Sequence, residues 1–212
     1  MTVHSAHHAN DGSDGPTAAF LADTSGTGGS TAAEPFGART GSDGDRPAEQ
    51  LHGGIDFGLF VLRISLGGLM IAHGLQKFGL FDGPGTDGFA QALTSMGFTG
   101  PTTLLAWVTA LAEVGGGALL VLGFFTPLGA AAVLGVMANA VYGKLDSGFF
   151  AATGGFEFDL LIAFTAFALL FTGAGRIAID KNTPWRRRPW PFGLAALVLA
   201  AATSAAAILL FR

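Results

Sequence analysis

From residue 57 onward the chain is almost continuously apolar, a run several times longer than one bilayer crossing. A hydrocarbon core of about 30 Å takes about 20 apolar residues per helix, so the pattern predicts spans at 57–81, 102–122, 125–142, 158–175 and 192–211. Half of all residues are hydrophobic, only 12% are charged, and the mean hydropathy is +0.51. The charges crowd into the first fifty residues and one loop, which leaves the rest fit for lipid. These features predict an all-α integral membrane protein of five transmembrane helices, the last of them C-terminal. The 33 glycines and 19 phenylalanines suit helices that meet through small residues and turn large ones toward lipid.

Composition divides the chain further. Residues 1–50 are rich in Gly, Ser, Thr, Ala and Asp, with Arg39 and Arg46 against seven acidic residues. Such a segment has too little apolar surface to offset its ordering entropy and is expected to be a disordered tail. It lacks the basic n-region and apolar h-region of a signal peptide. His4, His7 and His8 read as chance histidines, because no other ligand type sits at a fixed spacing around them. The first four spans are expected within 51–180, a basic loop over 181–191 and the fifth span over 192–212.

Lysine and arginine positions predict orientation. The connection between the fourth and fifth spans holds Arg176, Lys181, Arg186, Arg187 and Arg188, whereas the loop from Asp82 to Pro101 holds no basic residue. A basic loop of this kind is cytoplasmic, which places the N-terminus inside, the C-terminus outside and Trp185 and Trp190 at the inner interface of a plasma membrane.

Ionisable residues within spans are costly, roughly 2.5–3.5 kcal/mol each on insertion scales, and so mark structural or functional contacts. At about 100° per residue, Arg63, Met70, Gly74 and Lys77 share one helix face, with Gly67 and His73 at its edges. Glu113 lies in a groove of Thr109, Ala110, Gly116 and Gly117. Asn139 shares a face with Gly135, Tyr142 and Gly143, and the fourth span opens with Glu157 and Asp159. Buried charges need partners, so Glu113 is expected to find Arg63, His73 or Lys77, and Asp159 or Glu157 another of these. The cluster reads either as a polar lock that sets helix register or as a ligand and proton site. In the second reading His73 and Glu113 exchange protons, Arg63 and Lys77 hold negative charge, and Trp107 and Tyr142 pack beside a ring, with Asn139, Glu157 and Asp159 completing the site.

Other chemistries are poorly served. The absence of cysteine removes disulfides, thiolate metal sites and iron–sulfur ligation, so redox chemistry requires a bound cofactor, a quinone or a partner. Ser65 and Ser95 lack a nucleophile-elbow context, the glycine-rich runs lack the setting of a phosphate cradle, and His73 has no second membrane histidine with which to hold haem. No metal site and no nucleic-acid partner are expected.

Three blocks in order carry a family resemblance. Arg63-Ile-Ser-Leu-Gly67-Gly-Leu-Met-Ile-Ala-His73-Gly74-Leu-Gln-Lys77 resembles the first-helix signature of the DoxX family. Glu113-Val-Gly-Gly-Gly117, followed by Gly123 and Thr126-Pro127, is similar to its second helix and turn. Gly173-Ala-Gly175-Arg176-Ile-Ala-Ile-Asp180 is similar to its closing block. The resemblance covers roughly 57–180 and implies a four-helix membrane core linked to redox systems, including the membrane part of thiosulfate:quinone oxidoreductases and assemblies that handle oxidative stress. It leaves three expectations open: a redox-linked subunit binding a quinone or small sulfur species, a non-catalytic accessory subunit of a larger respiratory or oxidative-stress complex, or a small transporter. The extra Ala-rich fifth span is expected to bind another membrane subunit through its small residues.

Overall fold

The computed structural model describes residues 53–212, so the tail expected over 1–50, with His4, His7 and His8, lies outside the described residues. Seven helices follow in order: α1 Gly53–Lys77, α2 Gly85–Ser95, α3 Thr102–Leu122, α4 Thr126–Gly143, α5 Glu157–Thr172, α6 Pro184–Arg187 and α7 Pro189–Phe211. Two single 3₁₀ turns, Leu145–Ser147 and Ala151–Thr153, join α4 to α5, and the described residues contain no strand.

Four helices, α1, α3, α4 and α7, are long and apolar enough to cross a membrane. Helix α5 has 16 residues, about 24 Å at 1.5 Å per residue, and falls short of a full hydrocarbon core. It nevertheless lies inside the bundle, packed on α4, α7 and α1. The helix ends where Gly173 adopts φ 70°, earlier than the span predicted to reach 175.

Local chemistry sets the other boundaries. Helix α1 carries Asp56 in its first turn and Lys77 in its last, both favourable to the helix dipole. It starts before the predicted span and stops at Lys77. Beyond that point Gly79, Phe81 and Asp82 all have positive φ and turn the chain away. Helix α3 ends on left-handed Gly123, and Pro127 in the first turn of α4 restarts the helix. The segment expected to be a simple loop, 82–101, contains α2, an amphipathic helix that buries Ala90 and Leu93.

Helices α1 and α3 meet backbone to backbone. A Cβ on Gly67 would come within 2.5 Å of the Gly117 carbonyl oxygen, and one on Gly74 within 3.0 Å of that of Ala110. Only glycine permits this approach, the usual device where lipid gives helices no hydrophobic reason to associate. Met70, Leu120, Val133, Leu169 and Leu170 fill the centre, while Leu161, Phe164 and Val198 point outward as a lipid-facing rim. Helix α7 lays its small residues Gly193, Ala196, Ala200 and Ser204 against this same chain, on α4 and α5. These four small residues pack within this chain, while Ala195, Ala201, Ala202, Ala205 and Ala206 of the same helix stay exposed.

The bundle has two chemically different ends. Asp56, Gly123, Thr126, Arg176 and Asp180 cluster at one end, through bonds from Asp180 N to Gly123 O and from Arg176 N to Asp56 Oδ1. Lys77, Thr102, Lys144, Asp159 and Phe211 lie toward the other, where Thr99 N donates to Phe211 O. Residues 53 and 212 consequently sit at opposite ends.

Candidate functional site

A cavity of about 530 Å³ opens between α1, α3, α4, α5 and α7 at the Lys77 end, and Phe89 and Leu93 of α2 form part of its wall. Most of the lining is apolar. Eight polar side chains line it: the hydroxyls of Thr109 and Thr203, and His73, Lys77, Glu113, Asn139, Lys144 and Asp159.

Two ion pairs hold most of that charge. Lys77 Nζ donates to Glu113 Oε2 at 2.6 Å, with the glutamate side chain only 2% exposed. The same ammonium lies 4.7 Å from the Phe89 ring centroid, so α2 covers the pair with an aromatic face. Lys144 Nζ donates to Asp159 Oδ2 at 2.6 Å and joins the end of α4 to the first turn of α5. Glu113 thus meets one of its three expected partners, whereas Asp159 pairs with Lys144 rather than with Arg63, His73 or Lys77. His73 lines the cavity half-buried, with its ring 6.3 Å from that of Phe158. Asn139 donates through Nδ2 to Gly135 O at 3.0 Å, while its buried Oδ1 has no hydrogen-bond partner.

The remaining sequence candidates lie elsewhere. Trp107 is exposed and packs on Phe78 at 5.3 Å between ring centroids. Tyr142 is exposed beneath Arg212, whose guanidinium carbon lies 4.5 Å from its ring centroid. Glu157 accepts from Ala151 N at 2.9 Å and ties the 3₁₀ turn to α5. These three were selected by residue type and depth, and their helical phase directs them away from the cavity.

Arg63 belongs to a separate cluster at the opposite end. Fully buried, it donates from Nη1 to Leu120 O at 3.2 Å and from Nη2 to Ile177 O. A Cβ on Gly123 would overlap its guanidinium, so that glycine is needed for space as well as for its left-handed backbone. Asp180, also buried, accepts from Thr126 N at 3.3 Å and acts on Arg63 through its charge. Asp56 accepts from Arg176 N at 2.8 Å and pairs with its side chain at 3.5 Å. The segment after α5 therefore straps the starts of α1 and α4 to the end of α3.

Sequence reasoning missed Lys144 as a site residue because it stood alone in its loop. The available signal was its place one turn beyond Ala140, which also lines the cavity. Asp56 and Asp180 were missed as buried groups because they lie outside or at the edge of the predicted spans. Among the described residues, no three His, Cys, Asp or Glu side chains converge to hold a metal ion.

Comparison with known proteins agrees with this architecture. The family model DoxX matches residues 58–145, which span α1 to the end of α4 and include both Lys77–Glu113 and Lys144. The chain is 31% identical over 126 residues to the protein named "Putative oxidoreductase CatD" of Bacillus subtilis (strain 168). That alignment covers 59% of this chain and 86% of the relative. No solved structure matches. The matched region and the relative covered over most of its length together establish that the chain belongs to the DoxX family of multi-pass membrane proteins.

Proposed function

We propose that this protein is the membrane component of a redox or oxidative-stress system and that its cavity at the Lys77 end binds a quinone-type ring. The carrying observation is the unpartnered Asn139 Oδ1 on an apolar wall that also presents two ammonium groups and His73. A quinone is flat, apolar and ringed by carbonyl acceptors. Lys77, Lys144 and His73 are donors for those carbonyls, and Asn139 Oδ1 is an acceptor for the hydroxyl of the reduced form. A small sulfur anion fits less well, because each ammonium already faces a carboxylate at 2.6 Å.

A bound quinone would supply a two-electron, two-proton couple. His73 and Glu113 would exchange the protons, and Lys77 would hold the Glu113 carboxylate in place. The electrons would come from a reduced substrate or a partner subunit, since the chain has no cysteine with which to store them. The oxidoreductase name of the Bacillus relative supports a redox role in general terms.

The test uses the full chain in lipid nanodiscs and the tail-less probe 2,3-dimethoxy-5-methylbenzoquinone with its reduced form. Asn139→Leu is expected to weaken binding of the reduced probe about tenfold, the equivalent of one hydrogen bond of about 1.4 kcal/mol. His73→Ala should weaken the oxidised probe by a similar factor. If the parent binds neither form, the quinone reading fails.

We further infer that the basic segment 176–188 faces the cytoplasm of a plasma membrane, which puts the cavity on the outer side. The cysteine-free chain suits labelling in sealed cells. A membrane-impermeant maleimide should modify Ser147→Cys and spare Arg187→Cys, both exposed positions. The reverse pattern would invert the orientation.

A further inference from the structure

We propose that the segment from Lys181 to Arg188 is a docking site for the headgroup of an anionic phospholipid. The site is independent of the cavity and of the quinone reading, and it lies beyond the region matched by the family model.

Charge carries the argument first. Lys181, Arg186, Arg187 and Arg188 crowd one short connection, and the sequence from 181 to 192 contains no Asp or Glu. Arg176 is paired with Asp56, and the neighbouring Asp180 is buried and bonded to Thr126 N. The other four cations have no ion-pair partner among the described residues. Lys181, Arg187 and Arg188 are exposed.

Local structure holds these cations in place. Arg186 Nη1 donates to Lys181 O at 2.7 Å and closes the loop on itself. Thr183 O accepts from the main-chain N–H groups of Arg186 and Arg187. Trp185, in the same turn, lays its ring on that of Phe125, with 4.5 Å between centroids and 26° between planes. That contact fixes α6 to the turn between α3 and α4 while Arg187 and Arg188 remain open to the outside. An anion that binds there does not first have to order the loop.

Surroundings then select the anion. A solvated basic loop would stand clear of the membrane among polar neighbours, but this one is bracketed by Ile179, 61% exposed, and Trp190, 67% exposed. Arg188 immediately precedes α7, one of the helices long and apolar enough to cross the membrane. Its guanidinium therefore stays at headgroup level, where the apolar pair meets glycerol and acyl chains and the cations meet phosphate. A zwitterionic headgroup carries its own ammonium beside the phosphate and leaves the four charges uncompensated. A net negative headgroup compensates them, and an arginine fork matches two phosphate oxygens.

The experiment uses the full chain with Trp107→Phe as the parent, which leaves Trp185 and Trp190, both at the site, as fluorescent reporters. Nanodiscs of phosphatidylcholine receive a minor fraction of dibrominated phosphatidylglycerol or, in the matched sample, dibrominated phosphatidylcholine, and tryptophan quenching reads which lipid is held. Each basic residue at an anionic surface favours it about fivefold, and salt screening reduces the product, so the parent should prefer phosphatidylglycerol about tenfold. Lys181→Gln, Arg187→Gln and Arg188→Gln together should bring that ratio down to about one. These side chains make no hydrogen bond among the described residues, so the triple variant should keep the parent's helical circular dichroism. Arg212→Gln, which removes one charge at the opposite end, should leave the ratio unchanged. A parent ratio near one overturns the proposal, and so does a ratio that survives in the folded triple variant. A ratio lost equally in Arg212→Gln would mean attraction by net charge without a site. If the parent shows no lipid preference but binds soluble polyglutamate, and the triple variant does not, the occupant is an acidic polypeptide and the proposal is wrong.

Discussion

Arg63→Leu is expected to destabilise the bundle more than any other single substitution. Replacing a buried ion pair with apolar groups is often neutral, but Arg63 has no such pair to remove. Its direct acceptors are the Leu120 and Ile177 carbonyls, which remain polar and buried whatever stands at position 63. Each left without a donor is destabilising by about 1–3 kcal/mol, and Asp180 loses its neighbouring positive charge as well. Arg63→Lys should recover only part of the loss, since one ammonium does not reproduce the fork that reaches both α3 and the segment after α5. Thermal unfolding of the detergent-solubilised chain, followed by helical circular dichroism, checks the order parent, lysine, leucine. A leucine variant as stable as the parent would show that the clamp does not hold the bundle.

The Lys77–Glu113 pair should behave in the opposite way, with one large loss and a recovery. Lys77→Met alone strands a carboxylate that is 2% exposed, a change worth about 3–5 kcal/mol. Adding Glu113→Gln removes the stranded charge and should restore most of the stability, giving a strong coupling in a double-mutant cycle. Activity separates the two meanings of the pair. As a proton-exchanging site, the double variant should be folded yet inactive in a quinone-reduction assay. As a register lock, it should be folded and fully active. Additive losses in the cycle would mean that the 2.6 Å contact contributes little, and both meanings would have to be dropped.

Much of the architecture was readable because membrane spans are long, uniform signals. Gly123 and Gly173 mark helix ends by a property visible in the sequence, and Gly67, Gly74 and Gly117 announce a close helix contact by their spacing. Helix α2 escaped because Phe89, Ala90 and Leu93 form only a short apolar stripe among Gly, Asp and Thr, too brief to stand out from a loop. The site was legible in its residue types but less so in its pairings. His73, Lys77, Glu113, Asn139 and Asp159 converge because they share depth and phase. Arg63 was read as a charge seeking a carboxylate, whereas its direct partners are main-chain carbonyls. Every residue carries one, so no residue code points to it. Trp107, Tyr142 and Glu157 show the converse limit: a suitable side chain at a suitable depth is directed by helical phase, and a span without a strong polar stripe fixes that phase poorly.

The strap that closes on Arg63 also has a consequence for biogenesis. The arginine lies 57 residues before Leu120 and 114 before Ile177. At roughly 5–20 residues per second, synthesis of that interval takes on the order of ten seconds, during which α1 waits with an unsatisfied cation. Neither α1 alone nor the α1–α3 pair is a finished unit. The bundle matures only when the segment after α5 emerges and caps the helices made before it. A ribosome stalled before residue 177 would hold a chain whose first helix still lacks its last hydrogen-bond acceptor, the form that membrane proteases and insertases would encounter first.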